Sequence, residues 1–229
     1  MRDENNIEDL IKALNEGSHK TKEKAAYKLA NLGDEKAVKP LLINLKNEKW
    51  SVRKAAAIAL GRIGDKRALK ALITLLNDNY WHVRQIAAMS LGLIGDKQAI
   101  EPVIQALKDK CLNVRCEVVL VLGELNDLRA VEPLMEILKE KDCLLRACEV
   151  ISLGKLGDSA AIPALAGSLN DENYFVRVNA ANTLGMIGNQ SSIAYLKSSL
   201  ENSNGESQGY ENALKNAIEK IKAKTSNRF

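Results

Sequence analysis

Four cysteines are the first residues whose types and spacing could do chemistry. They form two C-x4-C pairs, Cys111 with Cys116 and Cys143 with Cys148, and four thiols on neighbouring helices could ligate zinc. The spacing argues against it. Residues i and i+5 lie about 140° apart on a helix, and equivalent positions on adjacent helices are about 8–10 Å apart, too far for one tetrahedral site. The cysteines are therefore expected as small apolar fillers carrying reduced thiols, not as a disulfide framework. The only histidines, His19 before Lys20 and His82 before Val83, stand alone. Ser/His/Asp and Cys/His arrangements, phosphate loops and dinucleotide fingerprints are absent as motifs, because the glycines recur in Leu-Gly-x-x-Gly-Asp and follow no strand. No catalytic, cofactor-binding or metal-ligating residue is assigned, and no cofactor is expected.

The elements that position these residues repeat. Val-Arg recurs at 52–53, 83–84, 114–115 and 176–177, with Leu145-Arg146 in the remaining slot, so the period is 31 residues. Leu-Gly-x-x-Gly-Asp runs in step from Leu60, Leu91 and Leu153; the copy from Leu122 carries Asn126 for the second glycine, and the copy from Leu184 ends in Asn189. Composition agrees with helices: 46% apolar residues, 4% aromatics and only 4 prolines point away from a sandwich or barrel. A formal charge of +4, no apolar run of membrane length and a polar start, Met1-Arg2-Asp3-Glu4, predict a cytoplasmic protein without a membrane partner.

Within the period 34–64, helix A is expected over about Lys36–Leu45, with Val38, Leu41, Leu42 and Leu45 forming its buried stripe and Asp34 its cap. Pro40, Pro102 and Pro133 share a column near that start, where a missing N–H costs little. Helix B is expected over about Ser51–Ile63, with Val52, Ala56, Ala59, Leu60 and Ile63 inward and Gly64 ending it at positive φ. The first glycine of each motif, such as Gly61, lies inside helix B and reads as a close-packing site. Seven hairpins follow, predicting an all-α, right-handed α-solenoid as one domain over 1–229. Residues 1–33 form an N-terminal capping hairpin, 34–188 five full repeats, and 189–229 a diverged capping hairpin with a polar loop at 202–209.

The signature Asp-x-x-Ala-[Val/Leu/Ile]-x-Pro-Leu followed by Val-Arg-x-x-Ala-Ala-x-Ala-Leu-Gly-x-Ile-Gly-Asp, closely reproduced at 34–64 and 65–95, resembles the HEAT-like repeats of the phycobilisome-lyase type. That resemblance covers nearly the whole chain and implies the fold; its members include binding proteins, chromophore lyases and an iron-dependent hydroxylase. Deoxyhypusine hydroxylase holds its irons with His-Glu dipeptides, and this chain has none. Bilin-lyase activity is the second enzymatic alternative, and no residue here specifically supports it. The family also suggests a role for Asn47, Asp78, Asp109, Glu140 and Asp171, each six residues before Arg53, Arg84, Arg115, Arg146 or Arg177. These columns can alternate as a hydrogen-bonded ladder between repeats.

The columns that change from repeat to repeat are those of residues 50, 51, 54, 55, 58 and 62, and 50, 54, 58 and 62 form one row on helix B. In the family this row lines the concave surface. Here it reads Trp50, Lys54, Ile58, Arg62; Trp81, Gln85, Met89, Leu93; Leu112, Cys116, Leu120, Glu124; Cys143, Ala147, Ile151, Lys155; and Tyr174, Val178, Asn182, Met186. The competing assignment for the 58 column is plain core. Trp50, Trp81 and Tyr174 begin helix B beside a turn, where a large ring keeps an exposed edge and suits an interface anchor. The expectation is a non-catalytic protein-interaction scaffold holding a partner helix or extended segment. Nucleic-acid binding is the other-class alternative, suggested by pI 8.8 and by Lys20, Lys22, Lys24 and Lys28. The small charge excess, with Glu117 and Glu124 on or beside the row, weighs against it.

Overall fold

Five of the B helices stop where the backbone turns left-handed. Gly33, Gly64, Gly95 and Gly157 have φ between 68° and 75°, and Asn126 takes the same role at φ 49°. Gly188 departs from the series with φ −64° and ψ 157°, so the last full repeat leaves its helix in an extended direction.

The computed structural model describes residues 2–203 and 207–226, with side chains from Ile7 onward. Among these residues the chain is all α-helix and short 3-10 turns, with no strand. The helices are α1 (Arg2–Glu16), α2 (His19–Leu32), α3 (Val38–Asn44), α4 (Trp50–Ile63), α5 (Leu69–Leu75), α6 (Trp81–Ile94) and α7 (Ile100–Gln105). They continue as α8 (Leu112–Leu125), α9 (Val131–Ile137), α10 (Cys143–Leu156), α11 (Ile162–Gly167), α12 (Tyr174–Ile187), α13 (Ser192–Asn202) and α14 (Gln208–Ser226). None is long and apolar enough to cross a membrane.

Helix A starts later than its apolar stripe suggests. Asp34 bonds the Lys36 N–H at 2.7 Å and caps a 3-10 turn over Glu35–Ala37; the α-helix begins only at Val38. Asp65, Asp96, Asp127 and Asp158 repeat this two-residue reach, the preferred turn chemistry of aspartate. Pro40 then falls within the first α-turn, where no donor is required.

The fold packs as two compact units, residues 1–121 and 122–229, divided within α8. In the first unit α2 packs on α4 and α4 on α6, with α1, α3 and α5 as their hairpin partners. Leu14, Leu29, Leu41, Leu60, Leu72 and Leu91 are fully buried there. In the second unit α10 packs on α12 and α12 on α14, with α9, α11 and α13 behind them. The glycines inside helix B permit this approach. A Cβ on Gly61 would lie 2.7 Å from Ser90 Cβ, one on Gly154 2.9 Å from Thr183 Cγ2, and one on Gly185 2.9 Å from Ala217 Cα.

The C-terminal hairpin is tighter than its polar sequence predicts. Helix α13 runs through Asn202 and α14 begins at Gln208; of the expected 202–209 loop, residues 204–206 lie outside the described residues. The buried Tyr210 hydroxyl donates to the Leu169 carbonyl at 2.7 Å, and the Lys224 ammonium donates to the last carbonyls of α12, at Gly185 and Met186.

Candidate partner-binding face

The exposed row on helix B is held from behind by the arginine–aspartate columns. Arg53 Nε and Nη2 bond Asp78 Oδ2 and Oδ1 at 2.7 and 2.8 Å, while Nη1 donates to the carbonyls of Asn47 and Glu48. Arg84 does the same with Asp109, and Arg146 with Asp171. Each fork joins two successive hairpins and locks the turn ahead of its own helix. Burial alone would push the Asp78, Asp109 and Asp171 carboxyls up. The facing guanidinium and a backbone N–H two residues on outweigh it and hold them below the usual carboxylate range.

Arg115 departs from the expected ladder. Arg115 Nη1 bonds the Asp109 carbonyl at 2.9 Å, but its buried Nε has no partner among the described residues. Arg177 bonds the carbonyls of Asp171 and Glu172 and also lies 5.3 Å from the Tyr210 ring centroid, a cation–π contact.

In the first unit, Trp50, Lys54, Ile58, Trp81, Gln85, Met89, Leu112 and Leu120 are half-buried, and Leu93 is 54% exposed. Cys116 is buried and is withdrawn from the surface row: a thiol is too short to reach past its i−4 and i+4 neighbours Leu112 and Leu120. Arg62 donates to Asn31 Oδ1 at 2.9 Å and Gln85 to Glu117 Oε2 at 3.3 Å, so polar links between hairpins stiffen the row.

In the second unit, Tyr174 and Val178 are half-buried, Glu124, Asn182 and Met186 are exposed, and Ile151 is 39% exposed. Glu124 pairs with Lys155 at 3.6 Å. The 58 column is thus a surface strip in both units and not core.

Sequence reasoning missed the company these rings keep. Tyr80 and His82 flank Trp81 and stack with the tryptophans: Tyr80 on Trp50 at 5.9 Å between centroids, Trp50 on His82 at 5.1 Å, and His82 on Trp81 at 3.6 Å, all within about 22° of parallel. Phe175, 68% exposed, meets Tyr174 edge-on, and Leu144 holds the same column one repeat earlier. The signal was available, since the column of residue 51 changes along the chain.

Glu149 was missed as well. It occupies the core column otherwise filled by Ala56, Ala87, Val118 and Ala180, is fully buried, and neither carboxyl oxygen has a partner among the described residues. Burial pushes its pKa up to about 9. The Ser152 hydroxyl, three residues on, is buried and equally unpartnered. None of the four cysteines forms a disulfide, Cys143 is exposed, and no three His, Cys, Asp or Glu side chains among the described residues are grouped to hold a metal ion.

Comparison with known proteins bears on the fold. The family model for HEAT repeats matches three times, over residues 7–89, 69–150 and 133–214. No curated protein matches the chain by sequence. Among solved structures, the complex of CpcE and CpcF of phycocyanin lyase from Nostoc sp. PCC7120 aligns with TM-score 0.62 and 21% identity, covering 94% of each chain. The Escherichia coli protein YibA aligns with TM-score 0.61 and 19% identity over 94% of this chain and 92% of that one. Kap95p, solved with RanGDP, aligns with TM-score 0.62 and 13% identity over 93% of this chain and 36% of its own. At these identities the likeness is one of fold. With repeat matches spanning residues 7–214, the chain belongs to the HEAT-repeat family.

Proposed function

We propose that the chain is a non-catalytic protein-interaction scaffold whose helix-B row binds a partner helix or extended segment. The carrying observation is that the columns most variable along the chain are also the ones that leave large apolar and aromatic side chains half-exposed on a rigid frame. Variation within a repeat array marks what is not needed to hold the array together. Aromatic anchors at helix starts supply most of the energy in such interfaces. The arginines weigh against a phosphate-tracking surface, because Arg53, Arg84 and Arg146 already spend their forks on aspartates. Protein partners are in keeping with the fold, since CpcE with CpcF and Kap95p with RanGDP were solved as protein complexes.

The test is affinity capture from native lysate followed by mass spectrometry, repeated with Trp81→Ala and Tyr174→Ala. Loss of a captured partner at unchanged melting temperature supports the reading. Variants that melt early while the same partners are still captured would make the rings core and sink it.

A further inference from the structure

The four-ring stack of the first unit carries a more specific assignment. Resting on the reading of the helix-B row as a binding face, we propose that Trp50, Tyr80, Trp81 and His82 dock a proline-rich segment in the polyproline II conformation, one free of lysine and arginine.

The outer faces at Trp81 and Tyr80 aside, the ring faces within the stack are already occupied. Tyr80, Trp50, His82 and Trp81 stack on one another, the Lys54 ammonium lies 5.4 Å from the Trp50 ring centroid, and Arg53 lies 5.7 Å from that of Tyr80. A cage for a methylated cation or a slot for a nucleobase needs at least two open faces turned toward each other, and the stacked inner faces leave none. What this cluster offers is ring edges on a stiff ridge.

Among the described residues no acceptor faces the indole nitrogens of Trp50 and Trp81 or the Tyr80 hydroxyl; Trp50 and Trp81 are half-buried, and neither indole nitrogen is among the buried unpartnered atoms. The ridge is therefore rich in unpaired donors. A polyproline II segment has no internal hydrogen bonds, and its prolines carry carbonyl acceptors but no N–H. A helical partner, by contrast, has already committed its carbonyls internally.

Register points the same way. Trp50 and Trp81 begin successive B helices, α4 and α6, and packed helices lie about 8–10 Å apart. Three residues of polyproline II advance about 9 Å. Every third residue of the segment thus meets the next indole.

Charge narrows the occupant further. Residues 1–121 hold 21 Lys and Arg against 15 Asp and Glu, which disfavours a basic segment.

Both tryptophans of the chain sit in this cluster, so intrinsic fluorescence of the full-length protein reads the site directly. The probes are a synthetic oligoproline peptide and a helical alanine-based peptide of equal length. The expected result is a saturable fluorescence change with oligoproline and none with the helical peptide. Trp50→Phe and Trp81→Phe, which keep a stacking ring and remove the N–H donor, should each weaken binding about tenfold at unchanged melting temperature. No saturable change with oligoproline, equal binding of the helical peptide, or wild-type affinity in both Phe variants would overturn the assignment. Each of those outcomes leaves the broader row reading to be decided by partner loss in Trp81→Ala and Tyr174→Ala.

Discussion

The Arg146 guanidinium closes on the Asp171 carboxylate through two parallel bonds, Nε to Oδ2 at 2.7 Å and Nη2 to Oδ1 at 2.9 Å, tying α10 to the turn that starts α12. Both partners are largely buried, so removing one leaves the other charged and shielded from water. Asp171→Ala should cost about 3–5 kcal/mol in urea denaturation. Arg115→Met should cost clearly less than Arg84→Met, since Arg115 lacks the fork that Arg84 makes with Asp109. Equal losses at Arg115 and Arg84 would refute the ranking.

Glu149 predicts the opposite pH dependence from an ordinary carboxylate. Its folded pKa, about 9, lies above the unfolded value near 4.5, so the folded state keeps a proton that the unfolded chain releases. This contribution is fully present below about pH 4.5 and is lost as pH rises toward 9, by up to about 1.4 kcal/mol per pH unit. Asp78, Asp109 and Asp171, held low, act in reverse and lose their contribution as pH falls through the acid range. Glu149→Val, matching Val118 in the same column, should stabilise the protein at pH 7 by roughly 3 kcal/mol and flatten the slope between pH 5 and 9. A slope unchanged by the substitution would show that Glu149 is not the titrating group.

Much of this was legible in the sequence, and the illegible parts share a cause. The 31-residue period exposed the helices and their caps, and the family resemblance suggested the arginine–acid ladder, which Arg53, Arg84 and Arg146 make and Arg115 does not. Glu149 could not be read, since a chain position in an apolar column does not say whether an acid there finds a partner. The ring stack was half-read: Trp50 and Trp81 were singled out for a half-exposed edge, but the sideways reach of Tyr80 and His82 is set by packing between hairpins. Cys116 was misplaced for the reverse reason, because a shared column does not guarantee a shared depth when side chains differ in length.

Two glycines on helices should respond with opposite sign. Gly61→Ala would press a methyl group to 2.7 Å from Ser90 Cβ and should lose about 1–3 kcal/mol despite alanine's better helix propensity. Gly167→Ala, with open space around the added Cβ and helical backbone angles, should be neutral or gain up to about 1 kcal/mol. Thermal denaturation of both variants settles the comparison, and a stabilised Gly61→Ala would contradict the close-packing role.

At the binding face, Trp81→Ala and Tyr174→Ala should each weaken a captured partner by about 2 kcal/mol or more. Isothermal titration with the identified partner measures the loss, and circular dichroism should show unchanged helix content.

The fork between an arginine and the aspartate 25 residues ahead also acts as a ruler for how such a chain can lengthen. A tandem duplication of a whole 31-residue segment sets a new arginine at the correct interval before the next aspartate, and the array can grow with every buried charge matched. A single residue inserted between α10 and α11, or between α11 and Asp171, shifts one jaw of the Arg146–Asp171 clamp against the other and strands both charges. Recombination at the turns is thereby tolerated in whole quanta, and small frame-preserving slips inside a hairpin are not.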